Sequence, residues 1–583
     1  MPRRYWVALV LALVTGAGLA ATLLARRAAQ GRPARDRVAV SVFANRTGDS
    51  TLEPLGSMAA DWITRGLAQL EDVEVMDVAA VYAGGRNETG DPVDPVLLAR
   101  RNGAGTVVSG SYYLATDTLV VRASLVDART GTVLQTIPPV HASAADAVRA
   151  LDQLRQHVTA ALAGVLDVRF TAFTSRPAAP RTFAAYQAFV AGQAAYWQGR
   201  PAPEVRALFQ RAAEQDSGFT TAPVWLAFVG ANGAGCALTD SIAAALDGRR
   251  GALGTFDRLT LDLSVARCRN DWEAGFGLAR EQAALRPRST YAVYTAGVFG
   301  LHSGHFARAV EQLASIDPEH DLGWLTDSAK MIYWRDYTGA LHMTGDYAGE
   351  LRRAEALVRG FPDRAVARLL VARALAAMGR GREALTHLDV ALRLPPDESA
   401  RVQAGLSAGH IATLLAMELR VHGDSAAARS AAGRAVAWFH GLPKQRPAGR
   451  YDRYFQARCL AMLGRYDEAA AAIAFRPAAD ANDLLYVGLE GVLAGYRGAA
   501  DASADADARL AAMVDPSIAP LATAQRARVA MARGDGAAAL ELLEWAWGRG
   551  LPRVTTGMDV HLDPIYDPLR SDPRFRRINR GKE

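Results

Sequence analysis

Ten short turns recur along the middle of this chain, spaced so that one helical hairpin fits each. The clearest unit runs from Met331 to Asp363. Trp334, Tyr337 and Leu341 fall at i, i+3 and i+7, the spacing of one helix face. Gly345 ends that helix, because glycine takes the left-handed conformation without a Cβ clash. A second apolar face follows in Leu351, Ala354, Leu357 and Val358, and Pro362 stops it. Equivalent turns stand at Gly199, Asn270, Gly304, Gly379, Gly423, Gly464 and Gly534. From Asn270 to Gly464 successive turns lie 34, 41, 34, 44 and 41 residues apart. Weaker turns at Gly235 and Gly498 divide the two wide gaps into 36 and 35, and into 34 and 36. A single hairpin of this kind cannot bury its apolar face, so the pattern predicts a stack.

Within the units, one small residue recurs on each helix: Ala372 and Ala384, Gly297 and Ala309, Ala457 and Ala469, Ala527 and Ala539. A larger side chain there would push the paired helices apart. With Trp334 and the closing prolines Pro362 and Pro396, these positions resemble the tetratricopeptide repeat. The resemblance covers residues 182–550 and implies an all-α solenoid of about ten hairpins. Glu350 departs from it by occupying the small position of its own unit. The Gly235 and Gly498 units match poorly, so irregular helices are expected there.

At 583 residues the chain exceeds one compact core. Half of it is apolar, and a net charge of +6 is small for this length, so nucleic acid is not an expected partner. Lys330, Lys444 and Lys582 are the only lysines, which reads as a codon bias and takes functional weight from the basic pI. Cys236, Cys268 and Cys459 have no metal-ligand spacing. They are expected as three buried small hydrophobes, with a Cys236–Cys268 disulfide as the alternative.

Tyr5–Ala25 is 21 residues without a charge, flanked by Arg3-Arg4 and Arg26-Arg27. About 20 apolar residues span a bilayer core, so residues 1–27 are expected as an uncleaved transmembrane anchor, with cleavage after Ala20 as the alternative. Arg26, Arg27, Arg32, Arg35 and Arg37 favour a cytoplasmic body by the positive-inside count. An anchor at the very start of a chain before a large soluble body favours export, and the body is expected outside the cytoplasm.

After a linker at 28–36 the texture changes. Strands are expected at Arg37–Phe43, Val73–Val78 and Gly105–Tyr113, with helices at Leu55–Leu70 and Pro95–Asn102. Leu119–Val126 and Thr132–Thr136 form a hairpin around Ala128–Gly131, and Ala144–Leu166 closes the domain. This order predicts an α/β mixed-sheet domain over 37–170. Val38–Gly48, Gly103–Gly110 and Val121–Gly131 resemble the TolB-like amino-terminal domain, which implies a bacterial envelope or signalling protein. Residues 171–181 form a second linker. The segment 551–583, with Asp563, Pro564, Asp567, Pro568, Asp572 and Pro573, resembles the closing piece of such arrays and is expected to cap the last hairpin.

Catalytic motifs find no support. Gly103-Ala-Gly105 follows a helix and precedes a strand, the reverse of a phosphate loop, and reads as a helix stop. His302 and His305 straddle the Gly304 turn with no partnering carboxylate motif. Asp61, Asp127 and Asp146 belong to different elements. Neither a P-loop, a kinase triad nor a Gly-x-Ser-x-Gly elbow occurs. No cofactor, metal or small-molecule substrate is therefore expected. Asn45 and Arg46 lie in a polar strand-to-helix loop, and Tyr333, Arg335, Arg453 and Tyr454 lie off the packing stripe. These six are the candidate partner contacts, because aromatic and arginine anchors dominate binding in grooves. The expected function is a non-enzymatic, membrane-anchored scaffold or adaptor that takes a protein or peptide in its helical-repeat groove. The alternative is a sensory subunit acting with a separately encoded kinase or transcription factor.

Overall fold

The structure, a computed structural model, describes residues 34–70, 73–76, 94–101, 103–143, 146–167, 180–287, 289–318, 327–394, 407–442, 451–474, 483–549, 551, 560–580 and 582. The Tyr5–Ala25 span and Pro396 lie outside the described residues. Among the described residues no helix is long and apolar enough to cross a membrane. The chain divides into two compact units, Met1–Val190 with Gln210–Ala222 and Ala191–Phe209 with Pro223–Glu583.

The first unit is built on a mixed sheet of seven strands: β1 Ala34–Val40, β2 Ala44–Asn45, β3 Glu74–Val75, β4 Ala104–Ala115, β5 Thr118–Asp127, β6 Val133–Thr136 and β7 Val140–Ser143. Its main order is β3-β1-β4-β5-β6, with β2 beside β4 and β7 beside β5. The β1 strand runs parallel to β3 and β4, while β5 is antiparallel to β4, β6 and β7. Val38, Val40, Val108, Val121 and Leu125 bury one face beneath the helices Pro54–Leu67 and Ala147–Leu166. Ala39, Val107 and Val126 bury the other face with Ala99 of the Pro95–Arg101 helix. Phe43 packs into the first of these faces, and a Cβ on Gly110 would collide with its ring. Gly103, at φ 74°, turns the chain from the Pro95–Arg101 helix into β4, the helix stop read from the sequence.

The expected α/β domain with a helical array after it is therefore present. Three strands differ from expectation, among them β2, which forms where a polar loop was expected. The Val73–Val78 strand is only two residues long, and β7 has no counterpart in the sequence reading.

Among the described residues ten helix pairs follow, from Phe183–Trp197 with Ala202–Gln215 to Ala519–Ala532 with Gly536–Gly548. All ten turn residues have positive φ, nine of them glycines and the tenth Asn270 at 53°. Asparagine is the side chain that tolerates this region best. The recurrent small residues are buried: Ala384, Ala309, Ala457, Ala469, Ala527 and Ala539 show at most 1% of their surface. A Cβ on Gly297 would stand 2.6 Å from Leu313 Cγ, which explains glycine there. Tyr337 is buried, and Trp334 packs half-buried against the core that begins at Leu351.

Of the two units expected to be irregular, one is. The helix before Gly235 ends in a π turn at Gly230–Ala234, and Thr239 Oγ1 donates across the pair to the Ala227 carbonyl at 2.8 Å. The Gly498 unit is instead a regular pair, Leu484–Tyr496 with Ala500–Ala511. Its close approach uses Gly491 and Ser503, whose hydroxyl donates to the Gly491 carbonyl at 3.0 Å. The cysteines also differ from expectation. Cys236 and Cys268 are bonded, which ties the Cys236–Asp247 helix to Thr255–Cys268, and only Cys459 is a free, buried thiol.

The carboxy-terminal segment does more than cap. Ile565, Tyr566, Leu569, Phe575 and Ile578 cover the last pair. Asp563 pairs with Arg458 at 3.0 Å and Arg528 at 2.9 Å, and Asp567 pairs with Arg420 at 3.0 Å. The Lys582 backbone N–H donates to the Gly304 carbonyl at 2.7 Å, and its ammonium pairs with Glu273. Asn270 Nδ2 donates to the Ser517 carbonyl at 2.5 Å. The late helices and the tail of this unit thus touch its early turns.

Three outcomes test this packing. Ala384→Leu should cost about 1–3 kcal/mol by overpacking, while Ala384→Ser should be nearly neutral; equal urea midpoints for both would refute the register. Protein purified without reductant should show one thiol, Cys459, and only after unfolding, because burial pushes that thiol up to about 12. Loss of the 32-residue crosslink by Cys236→Ser should cost about 3–4 kcal/mol in the chain-entropy account. Three titratable thiols in unreduced protein would rule the bond out.

Candidate functional site

Within the second unit, Tyr196 and Trp197 and the helices Thr255–Cys268, Thr290–Ser303 and Asp327–Met343 wall an open cavity of about 560 Å³. Its apolar surface comes from Tyr196, Phe228, Tyr291, Phe299 and Ile332. Its polar wall is Arg267, Tyr294, Arg335 and Asp336. Tyr294 donates its hydroxyl to Asp336 Oδ2 at 2.7 Å, and Arg335 pairs with Oδ1 of the same carboxylate at 2.9 Å. Arg267 donates Nε–H to the Ala231 carbonyl at 3.1 Å and lies over the Trp272 ring. No described carboxylate lies within ion-pair distance of Arg267. Two guanidinium groups therefore face one carboxylate, and the wall carries an excess positive charge. Burial pulls the Arg267 pKa below its usual value, since losing hydration disfavours the charged form, while Tyr196, Tyr294 and Asp336 oppose that shift. Burial also pushes the Tyr196 phenol up to about 12, so it stays neutral. The volume falls in the usual range of ligand pockets, about 300–1,000 Å³.

Arg335 lines this cavity. Tyr333 does not. It is 1% exposed, and its hydroxyl donates to the Leu313 carbonyl at 3.0 Å. Tyr454 is buried too, with Arg528 donating to its hydroxyl at 3.5 Å. Both were expected to face a groove; instead the preceding helix covers the first, and the second lies beside the ionic cluster of the carboxy-terminal segment. Arg453 is half-buried and donates to Gln456 Oε1 at 3.2 Å, away from the cavity. Asn45 organises its own loop: Oδ1 accepts from the Thr47 N–H, and Nδ2 donates to the Asp49 carbonyl. Arg46 beside it is exposed, with its backbone N–H bonded to the Tyr112 carbonyl. His302 lies tilted against Trp272, while His305 stacks on Phe276 and pairs with Glu273.

The sequence reading missed Arg267, Tyr294 and Asp336. Their signal was faint: Tyr291 and Tyr294 sit three apart on a helix already rich in apolar residues. It also missed a buried ionic cluster, although Glu350 at a small position was its sign. His342 Nδ1 lies 2.8 Å from Glu350 Oε2, and Nε2 lies 3.0 Å from Glu418 Oε1. Arg373 Nε donates to Glu350 Oε1 at 2.6 Å, and His422 Nε2 lies 3.0 Å from Glu418 Oε1. Burial alone would lower the His342 pKa, but Glu418 and Glu350 outweigh it and raise the value to about 9. Burial would raise Glu418, yet His342 and His422 hold it well below the usual carboxylate range. His561 is driven down to about 3, chiefly by burial.

A raised histidine pKa stabilises the fold while the proton is on. His342 titrates at 6.5 when unperturbed and at about 9 in the fold. Its contribution is therefore complete below 6.5 and is lost as pH rises through about 9. Urea unfolding of chelator-treated protein should show stability falling across that window by roughly 3 kcal/mol. A flat profile there would mean that the folded His342 holds no extra proton.

No protein-family model matches the chain, and no curated protein matches it. Solved structures do. The Rap protein complexed with competence and sporulation factor is 13% identical with a TM-score of 0.26, over 57% of this chain and 97% of that chain. The Cut9–Hcn1 hetero-tetramer of APC/C gives 14% and 0.24, over 63% and 87%. The TPR domain of P58(IPK) gives 12% and 0.15, over 68% and 96%. At TM-scores this low the overlaps say nothing about what this chain binds.

Proposed function

We propose that this chain is a non-enzymatic scaffold, held at a membrane by residues 1–27, whose helical-repeat unit binds a protein or peptide in the Tyr196–Asp336 cavity. The observation that carries the reading is Arg267, set in an aromatic-walled cavity with no described carboxylate paired to it. Such a wall suits an acidic group flanked by an apolar side chain, since charge-assisted hydrogen bonds are strong where water is excluded. A linear peptide with a carboxylate beside an aromatic or branched residue supplies both. The 37–170 unit is read as TolB-like, on its segments Val38–Gly48, Gly103–Gly110 and Val121–Gly131. The body is placed outside the cytoplasm, a reading supported by the Cys236–Cys268 bond, because disulfides persist in oxidising compartments.

The test is a titration of the full-length chain with short peptides that pair acidic or neutral ends with aromatic or branched side chains, read by tryptophan fluorescence. Acidic peptides should saturate, and Arg267→Gln should weaken them roughly tenfold or more, the size of one charge-assisted bond. Far-UV circular dichroism should not change. Equal binding by Arg267→Gln, or no saturable peptide, would move the function away from this cavity.

A further inference from the structure

Two helix ends bring three ligand-type side chains together. His342 lies in the last turn of the Asp327–Met343 helix; Glu418 and His422 lie four residues apart at the end of Ala408–Val421 and just beyond it. Residues four apart share a helix face, so both point to one place. His342 Nε2 and His422 Nε2 each stand 3.0 Å from the same atom, Glu418 Oε1. The three ligand atoms all lie within 4.8 Å of one another. Bonds of about 2.0–2.2 Å in a tetrahedral zinc site give ligand-to-ligand edges of about 3.3 Å, so a small ion enters with modest side-chain shifts.

Two further observations point to a ligand. Glu418 is 1% exposed, and its second oxygen, Oε2, is enclosed with no hydrogen-bond partner among the described residues. A buried carboxylate oxygen without a partner is costly. Behind His342, Glu350 Oε2 holds the far ring nitrogen at 2.8 Å and is itself fixed by Arg373. A carboxylate in that position sets which nitrogen of a metal-binding histidine faces the ion.

We propose that His342 Nε2, Glu418 and His422 Nε2 bind a divalent transition metal of the zinc class, with Glu350 as a positioning residue. Two imidazoles and one carboxylate suit such an ion better than magnesium or calcium, which prefer all-oxygen sites. His561, on the carboxy-terminal segment, has its ring 6.3 Å from that of His342, centroid to centroid, outside the three-residue cluster, and would complete the set as fourth ligand by moving towards the ion. The ion would then fasten that segment to the helix pairs around Gly345 and Gly423. The role is structural, and it is separate from the cavity around Arg267.

Chelator-stripped full-length protein is titrated with cobalt(II) and then zinc(II). The expected result is one equivalent of cobalt with the visible absorption of a tetrahedral site, displaced by zinc, and a melting temperature raised by zinc. His422 keeps 21% of its side chain exposed, so His422→Gln should fold; it should lower cobalt affinity at least roughly tenfold and abolish the zinc-dependent rise. Glu350→Gln should weaken binding about 10–100-fold, in line with other orienting carboxylates. His561→Gln should lose the tetrahedral absorption while retaining a weaker ion; an unchanged spectrum would overturn the fastening role. Wild-type protein that retains no zinc and shows no cobalt absorption, or His422→Gln that binds like wild type, would overturn the site.

Discussion

The approach of two helices through residues no larger than alanine sets the geometry of this array. Where Ala384, Ala309, Ala457 and Ala539 stand, the second helix of a pair lies against the first, and the shared apolar face is closed by the next pair. One unit breaks that rule. Glu350 fills the small position with a buried carboxylate, and an unmatched charge there would be prohibitive. The fold answers with Arg373 and His342, and through His342 with Glu418 and His422. A contact that is local everywhere else becomes a network reaching over several helices. Buried ions of this kind depend on one another, since removing one leaves another uncompensated.

The tail makes use of the same surface. Asp563 neutralises Arg458 and Arg528, and Asp567 meets Arg420, so cationic side chains from three different helix pairs are matched by one short segment. The Asp563 carboxyl is held below its usual value although burial opposes it, because the two arginines dominate. Tyr454 is buried beside that cluster. In the cavity Asp336 is the one carboxylate among the described lining residues beside Arg267 and Arg335, and the wall remains open and positive. Charge matching thus separates the covered part of this surface from the open one.

Much of the architecture was legible because it depends on neighbours in sequence. A helix that stops at a left-handed residue needs glycine or asparagine at that point, and all ten turns were visible for that reason. The alternating runs of β1, β4 and β5 were visible because side chains on a strand alternate between faces. The short strand β7 was not, since four residues after Pro138-Pro139 form a strand only by pairing with β5.

The sequence by itself determined the turns, the paired small residues, most of the strands and the change of texture between the two units. Each of these follows from backbone conformation or from spacing along one element. Tertiary structure decided which side chains face out. A helix in a stack has neighbours on several sides, so a position off one stripe is not thereby exposed. Tyr333 and Tyr454 were misread for that reason, each closed in by elements the helical period does not describe. Arg267 and Asp336, and likewise His342 and Glu418, are far apart along the chain and meet only when pairs stack. Their chemistry depends on distances of a few ångströms between separate elements, and those distances are set by packing.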